Sequence, residues 1–141
     1  MISVVIPTLN EEKYLERCLE SLANQTIPQG KYEIIVVDGR SKDKTIKISK
    51  KYADKIVFQK GKGTIEARNT GIKVAKYPLI AYIDADTFLM SDWIEKVIKE
   101  FRTDSRIISV IGKTLPIERS FKTFFWLSIQ HFYALCTDAL T

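Results

Sequence analysis

The chain has 141 residues, 45% hydrophobic and 28% charged, which suits one globular domain able to bury a core and leaves no stretch that reads as a linker, low-complexity segment or repeat. Its formal charge of +5 points to anionic partners (phosphates, nucleic acid or a lipid surface) without choosing among them. The cysteines, Cys18 and Cys136, stand far apart with no C-x-x-C pair or His cluster nearby, which argues against a disulfide framework or a zinc site and for a reducing compartment.

Met1 runs straight into an apolar strand pattern without the charged start and cleavage site of a secretory signal, so a cytoplasmic location is expected. Ile2 to Ile6 reads as a first strand ended by Pro7. Asn10 is expected to cap a helix with Tyr14, Leu15, Cys18, Leu19 and Leu22 on one face. Glu33 to Asp38 is apolar in its middle, as a strand buried on both faces should be, and a helix over Asp43 to Tyr52 follows it. The basic stretch from Arg40 to Lys51 reads as that helix's solvated face; it lacks the aromatic or arginine pattern of a nucleic-acid reader, and no nucleic-acid partner is expected.

Lys55 to Gln59 is a short third strand, and Gly61-Lys62-Gly63 turns into a helix over Ile65 to Ala75. Leu79 to Asp84 is the fourth strand. Ser91 or Asp92 caps a helix with Trp93, Ile94, Val97, Ile98 and Phe101 on one face, and Ile107 to Ile111 is the fifth strand. The alternation predicts an α/β fold, a mostly parallel open sheet with helices on both faces. From Phe121 to Cys136 the chain is aromatic and nearly uncharged. The segment 120–137 is expected to be a helix, short of the about 20 apolar residues a membrane span needs, and either buried in protein or lying at a membrane surface.

In open α/β sheets the ligand sits beyond the carboxyl ends of the strands, so the loops after Ile6, Asp38 and Asp84 carry the chemistry. A dinucleotide fold would have a Gly-rich turn after the first strand, but Glu11 and Glu12 stand there, where they suit the helix dipole and repel phosphate. The loop Pro7-Thr8-Leu9-Asn10 suits a base or ribose instead. Asp84 and Asp86, alternate residues of an extended segment, point the same way and offer hard oxygen ligands for Mg²⁺ or Mn²⁺, which would carry a diphosphate. The plainer alternative is that Asp86 caps a turn and Asp84 closes a strand.

Four segments occur in order: Val4-Val5-Ile6-Pro7-Thr8-Leu9-Asn10-Glu11-Glu12, Val36-Val37-Asp38-Gly39-Arg40-Ser41-Lys42-Asp43-Lys44-Thr45, Ala67-Arg68-Asn69-Thr70-Gly71 and Ile83-Asp84-Ala85-Asp86. Together they resemble the GT-A fold glycosyltransferases of family 2. The resemblance implies a Rossmann-like nucleotide-binding core over 1–112 and inverting transfer of a sugar from a nucleotide diphosphate, commonly UDP, to a hydroxyl acceptor such as a glycan or lipid carrier. By position it implies that Pro7, Thr8 and Asp38 hold the base, with the Asp38 carboxylate accepting a ring N–H. Arg68 lies near base and phosphates, where its planar fork suits either. Asp84 would lie by the ribose or reach the metal through water, and Asp86 would bind it directly. Asn10, Glu11 and Ala85 complete the donor-side set. Asp43 matches a frequent acid of the second segment and is read mainly as a helix cap.

An inverting transfer also needs a general base, expected in an acidic motif beyond a Gly-rich acceptor-side segment. After Gly112 the candidates Glu118 and Asp138 lack that context, so no base is assigned. His131 could face an acceptor, but a lone His among aromatics is more often packed or at the surface. The resemblance leaves the chain looking truncated: a fragment of a longer enzyme, a short form completed by a partner or an oligomer, or a nucleotide-diphosphate-binding module lacking the acceptor half.

Overall fold

The computed structural model describes residues 1–113 and 131–136. The elements in chain order are β1 (Ile2–Thr8), α1 (Leu15–Ala23), β2 (Tyr32–Asp38), α2 (Thr45–Ser49), β3 (Lys55–Phe58), α3 (Thr64–Val74), β4 (Leu79–Tyr82), α4 (Trp93–Thr103), β5 (Ser109–Lys113) and β6 (His131–Cys136). The strands form one sheet in the order β3-β2-β1-β4-β6-β5. β1 pairs in parallel with β2 and β4, and β2 with β3, while β6 runs antiparallel between β4 and β5. The expected mostly parallel α/β sheet is what the chain builds.

Period-two alternation splits the central strands between two cores. Val4 and Ile6 of β1 and Ile34 and Val36 of β2 face Leu15, Cys18, Leu19 and Leu22 of α1, Ile48 of α2, and Ile94 and Val97 of α4. Val5, Ile35 and Val37 face the other way, onto Ala67 of α3, with Ile80 and Tyr82 of β4. Both faces are therefore covered by helices. α3 lies so close to β1 that a Cβ on Gly71 would come 2.3 Å from Val5 Cγ1.

Pro7 does not end β1. The Val5 carbonyl faces β4, where Ile83 N–H donates to it at 3.1 Å, so Pro7, two residues on, turns its missing donor to that side, past the β4 pairing over Ile2 to Val5. Toward β2 it stays in register with Val37. β5 begins two residues later than expected, because Asp104 first makes a turn, accepting from Arg106 N–H through Oδ1 and from Ile107 N–H through its carbonyl.

Asn10 does not cap α1. It stands at φ 57°, ahead of a turn in which Tyr14 and Leu15 donate to the Glu11 carbonyl, and its side chain is used elsewhere. The helix expected over 120–137 is also corrected: His131 to Cys136 are strand β6, paired along both edges. A short apolar run inside a sheet has no alternation to mark it, and its length cannot separate it from a buried helix segment. The remainder of 120–137 lies outside the described residues. Among the described residues no helix is long and apolar enough to cross a membrane.

Candidate functional site

The carboxyl edges of β1 and β2 carry two loops that hydrogen-bond to each other across some thirty residues of sequence. Asn10 N–H donates to Ser41 Oγ at 2.8 Å, and Asn10 Oδ1 accepts from Lys42 N–H at 2.8 Å. Glu11 N–H donates to Thr45 Oγ1 at 2.8 Å and Glu12 N–H to Asp43 Oδ2 at 3.0 Å, while Glu12 Oε2 accepts from Lys44 N–H at 3.0 Å. Asp43 also accepts the Thr45 N–H through Oδ1 at 2.9 Å; it stands one residue ahead of the N-cap of α2, Lys44, and so is not the cap expected of it.

Asp38 lies beneath this clasp, fully buried. Its Oδ1 accepts from Thr8 Oγ1 at 3.2 Å and from Ser41 Oγ at 2.5 Å, and its Oδ2 from Ser41 N–H at 2.8 Å. A carboxylate has about four acceptor sites, and three of them are taken by these bonds within the protein.

Beside Thr8 a cleft of about 280 Å³ opens, lined by Pro7, Thr8, Leu9, Glu11, Gln59, Gly63, Thr64, Ala67, Asp84, Ala85 and Asp86. After β4 the chain turns, with Thr87 N–H donating to the Asp84 carbonyl at 3.0 Å. β4 ends at Tyr82, so the two aspartates stand at a turn and not on the extended strand expected; Ala85 plugs this turn into the core, leaving Asp84 half-buried and Asp86 exposed on either side of it. Arg68 comes up from α3 behind Asp84, its guanidinium over the Tyr82 ring and Nη2 3.8 Å from Asp84 Oδ1. Its Nε is buried without a hydrogen-bond partner.

The carboxylates in the cleft feel one another. Burial raises the Glu11 carboxyl above its ordinary value, and the charges of Asp86, Asp43 and Asp84 raise it further. Burial likewise raises Asp84, opposed by Arg68 and reinforced by Asp86. So much negative potential in one cleft suits a cation. Among the described residues no group of three ligating side chains converges on one point. Two carboxylates fit Mg²⁺ or Mn²⁺ where substrate phosphate and water complete the shell. In such a site Asp86 and Asp84 would hold the ion.

Of the residues singled out in the sequence, Pro7, Thr8, Glu11, Asp84, Ala85 and Asp86 meet around the cleft, while Asp38, Asn10 and Arg68 stand behind it as supports. Gln59, Gly63, Thr64 and Ala67 were not anticipated. The same strand-end rule applied to β3, whose exit the Gly61-Lys62-Gly63 turn marks, would have found the first three.

The family model of glycosyl transferase family 2 matches residues 3–134. Glycosyltransferase AglE of Haloferax volcanii is 33% identical over 101 residues, covering 67% of this chain and 33% of its own. A crystal structure of Staphylococcus aureus TarS 1-349 in complex with UDP-GlcNAc superimposes with a TM-score of 0.67 at 26% identity, over 82% of this chain and 36% of that one. The mannosyltransferase PcManGT of Pyrobaculum calidifontis, solved with GDP-Man and Mn²⁺, has a TM-score of 0.81 at 23% identity over 99% of this chain and 45% of its own, and speaks for the fold. The chain spans about a third or less of the curated relatives AglE, the Bacillus spizizenii poly(ribitol-phosphate) beta-glucosyltransferase and the Escherichia coli chondroitin synthase. With a family match over nearly its whole length and a strand-end cleft of carboxylates in a GT-A type sheet, the chain belongs to glycosyl transferase family 2.

Proposed function

We propose that this chain is the donor-binding part of an inverting, metal-dependent glycosyltransferase that moves a sugar from a nucleoside diphosphate, UDP in the first instance, to a hydroxyl of a glycan or lipid-linked acceptor. The observation that carries the reading is the meeting of Asp84 and Asp86 with Pro7 and Thr8 around one cleft, which gives a diphosphate and a nucleoside adjoining places. UDP and UDP-GlcNAc in the similar TarS structures favour uridine. Pro7 and Thr8, backed by Asp38, take the base, and Asn10 and Glu11 border the ribose. Arg68 and Asp84 stand between nucleoside and diphosphate.

Asp86, with Asp84, holds a divalent ion, Mn²⁺ or Mg²⁺, which when bound offsets charge on the departing diphosphate. In the reaction the acceptor hydroxyl attacks the anomeric carbon from the face opposite the diphosphate, the bond to the diphosphate breaks with its electron pair, and the hydroxyl proton passes to a base. No residue is assigned that last role.

Calorimetric titration with UDP, GDP and dTDP, each with and without Mn²⁺, tests the reading. UDP is expected to bind best and to gain affinity from Mn²⁺. Asp86→Ala should remove that gain, a loss of about a hundredfold or more, since even residues that only support metal ligands cost about 10–100-fold when removed. Equal affinity with and without metal would overturn it.

A further inference from the structure

The segment that follows β4 and carries both aspartates is laid against α1 and the residues that leave its C-terminal end. Cys18 Sγ lies 3.8 Å from the Asp84 carbonyl, to which it donates. Ser21 Oγ accepts from Leu89 N–H at 3.1 Å and donates to the Cys18 carbonyl at 2.7 Å. Gln25 uses both ends of its amide: Nε2 donates to the Met90 carbonyl at 2.8 Å and to the Ser21 carbonyl at 2.9 Å, and Oε1 accepts from Ile94 N–H at 2.9 Å. Cys18 and Ser21 share a face of α1, and Gln25 follows just past its C-terminal end, so three side chains grip successive points of one strand-to-helix connection.

That grip replaces other supports. α4 has no capping hydrogen bond from Asp92, the residue at its N-cap, and the Ile94 amide is satisfied by Gln25 instead. Between Asp84 and Asp92 the side chains of Phe88 and Met90 are exposed, and Leu89 and Ala85 are the buried anchors. Leu89 enters the core at the point where Ser21 takes its N–H. With the backbone fixed at Asp84, Leu89, Met90 and Ile94, the exposed Asp86 has a defined place although among the described residues no hydrogen bond holds its side chain.

We propose that Ser21 and Gln25 are positioning residues for the metal-binding aspartates, acting through the backbone of the Asp84–Ile94 segment. The inference rests on the reading of Asp86 as a metal ligand. Ordering that segment in advance spares the ion and the diphosphate the entropy of ordering it on binding. Neither side chain lines the cleft, so their loss should weaken the metal-linked part of binding and leave the base-side part alone.

The test is titration of Ser21→Ala and Gln25→Ala with uridine without metal and with UDP plus Mn²⁺, alongside amide hydrogen exchange at Leu89 and Ile94. Thr26→Val, which loses only a side-chain bond to Glu95 at the end of α4's first turn, is the control. Expected are uridine affinity within about twofold of the parent, a Mn²⁺-dependent gain for UDP reduced about tenfold, as for residues that orient metal ligands, and faster exchange at both amides. Faster exchange with an undiminished Mn²⁺-dependent gain would overturn the proposal, as would parallel loss of uridine and UDP binding, or failure of both variants to show the parent's circular dichroism. A parent protein that binds UDP with no gain from Mn²⁺ would instead sink the reading of Asp86, and this inference with it.

Discussion

Arg40 holds φ at 71°, in the left-handed region where a Cβ collides with the backbone. The turn is imposed by its neighbour: Ser41 N–H and Oγ both reach back to the Asp38 carboxylate, and Arg40 is the residue that must bend for them to do so. Left-handed backbone costs an L-residue about 1–2 kcal/mol, and glycine gives back roughly 0.5–1 kcal/mol through unfolded-state entropy. Arg40→Gly is therefore expected to raise stability by up to about 1 kcal/mol, read as a higher urea midpoint at unchanged slope. A lower midpoint would show that the arginine side chain outweighs its own backbone. Asn10, the other non-glycine residue at positive φ among the described residues, shows why this loop pair was hard to foresee. An Asn before a helix reads locally as a cap, but its partners here, Ser41 and Lys42, lie in the next strand-to-helix loop, and local periodicity carries no information about a bond at that separation.

Helix α3 illustrates the opposite situation, in which local preference and packing disagree. Alanine in place of a mid-helix glycine ordinarily gains about 1 kcal/mol. At Gly71 the added methyl would meet Val5 Cγ1 at 2.3 Å and Cγ2 at 3.0 Å, on a β-branched side chain that is fully buried in a central strand and has no freedom to turn aside. Overpacking of that kind costs about 1–3 kcal/mol, and with so short a contact the upper end applies. Gly71→Ala should lose a net of about 2 kcal/mol in urea denaturation; a gain would mean that α3 can ride outward without penalty. Helices α1 and α4 were legible from clear apolar faces, β1, β2 and β4 from apolar β-branched runs, and β3 and α3 from the Gly61-Lys62-Gly63 turn between them. β6 was not, since His131 to Cys136 is short and apolar and its place between β4 and β5 follows only from tertiary pairing.

Away from the cleft, one buried carboxylate ties the whole parallel half of the sheet together. Glu33 of β2 accepts from Ser3 Oγ of β1 at 2.6 Å and from the Lys76 amide ahead of β4, and pairs with Lys55 of β3 at 2.9 Å. Burial alone would raise its carboxyl, but the hydrogen bonds from Ser3 and the Lys76 amide, together with Lys55, outweigh it and hold the group below its ordinary value. A carboxyl depressed in the folded state stabilises above the unfolded value, about 4.3 for glutamate, and that contribution is lost as pH falls from there through the folded value. Glu33→Gln should accordingly be less stable near neutrality and flatten this part of the acid limb in urea melts across pH. An acid limb as steep as the parent's would assign the pH dependence to other carboxylates. The candidate site was legible to the same extent as its strand ends: Asp84 and Asp86 stood out by spacing, whereas Ser21 of α1 and Gln25 just after it, which hold them in place, look like ordinary polar residues until the Asp84–Ile94 segment is seen lying across them.

The strand order also sets a sequence of events for a chain emerging from the ribosome. β1 to β4 can assemble as soon as residue 82 is available, but β5 has no described partner other than β6, which arrives later. In that interval β4 presents an unpaired edge beside the aspartate turn, the kind of edge that recruits foreign strands. Insertion of β6 covers that edge and gives β5 its place in one event, so the pairing that seats β5 also removes the exposed edge of β4.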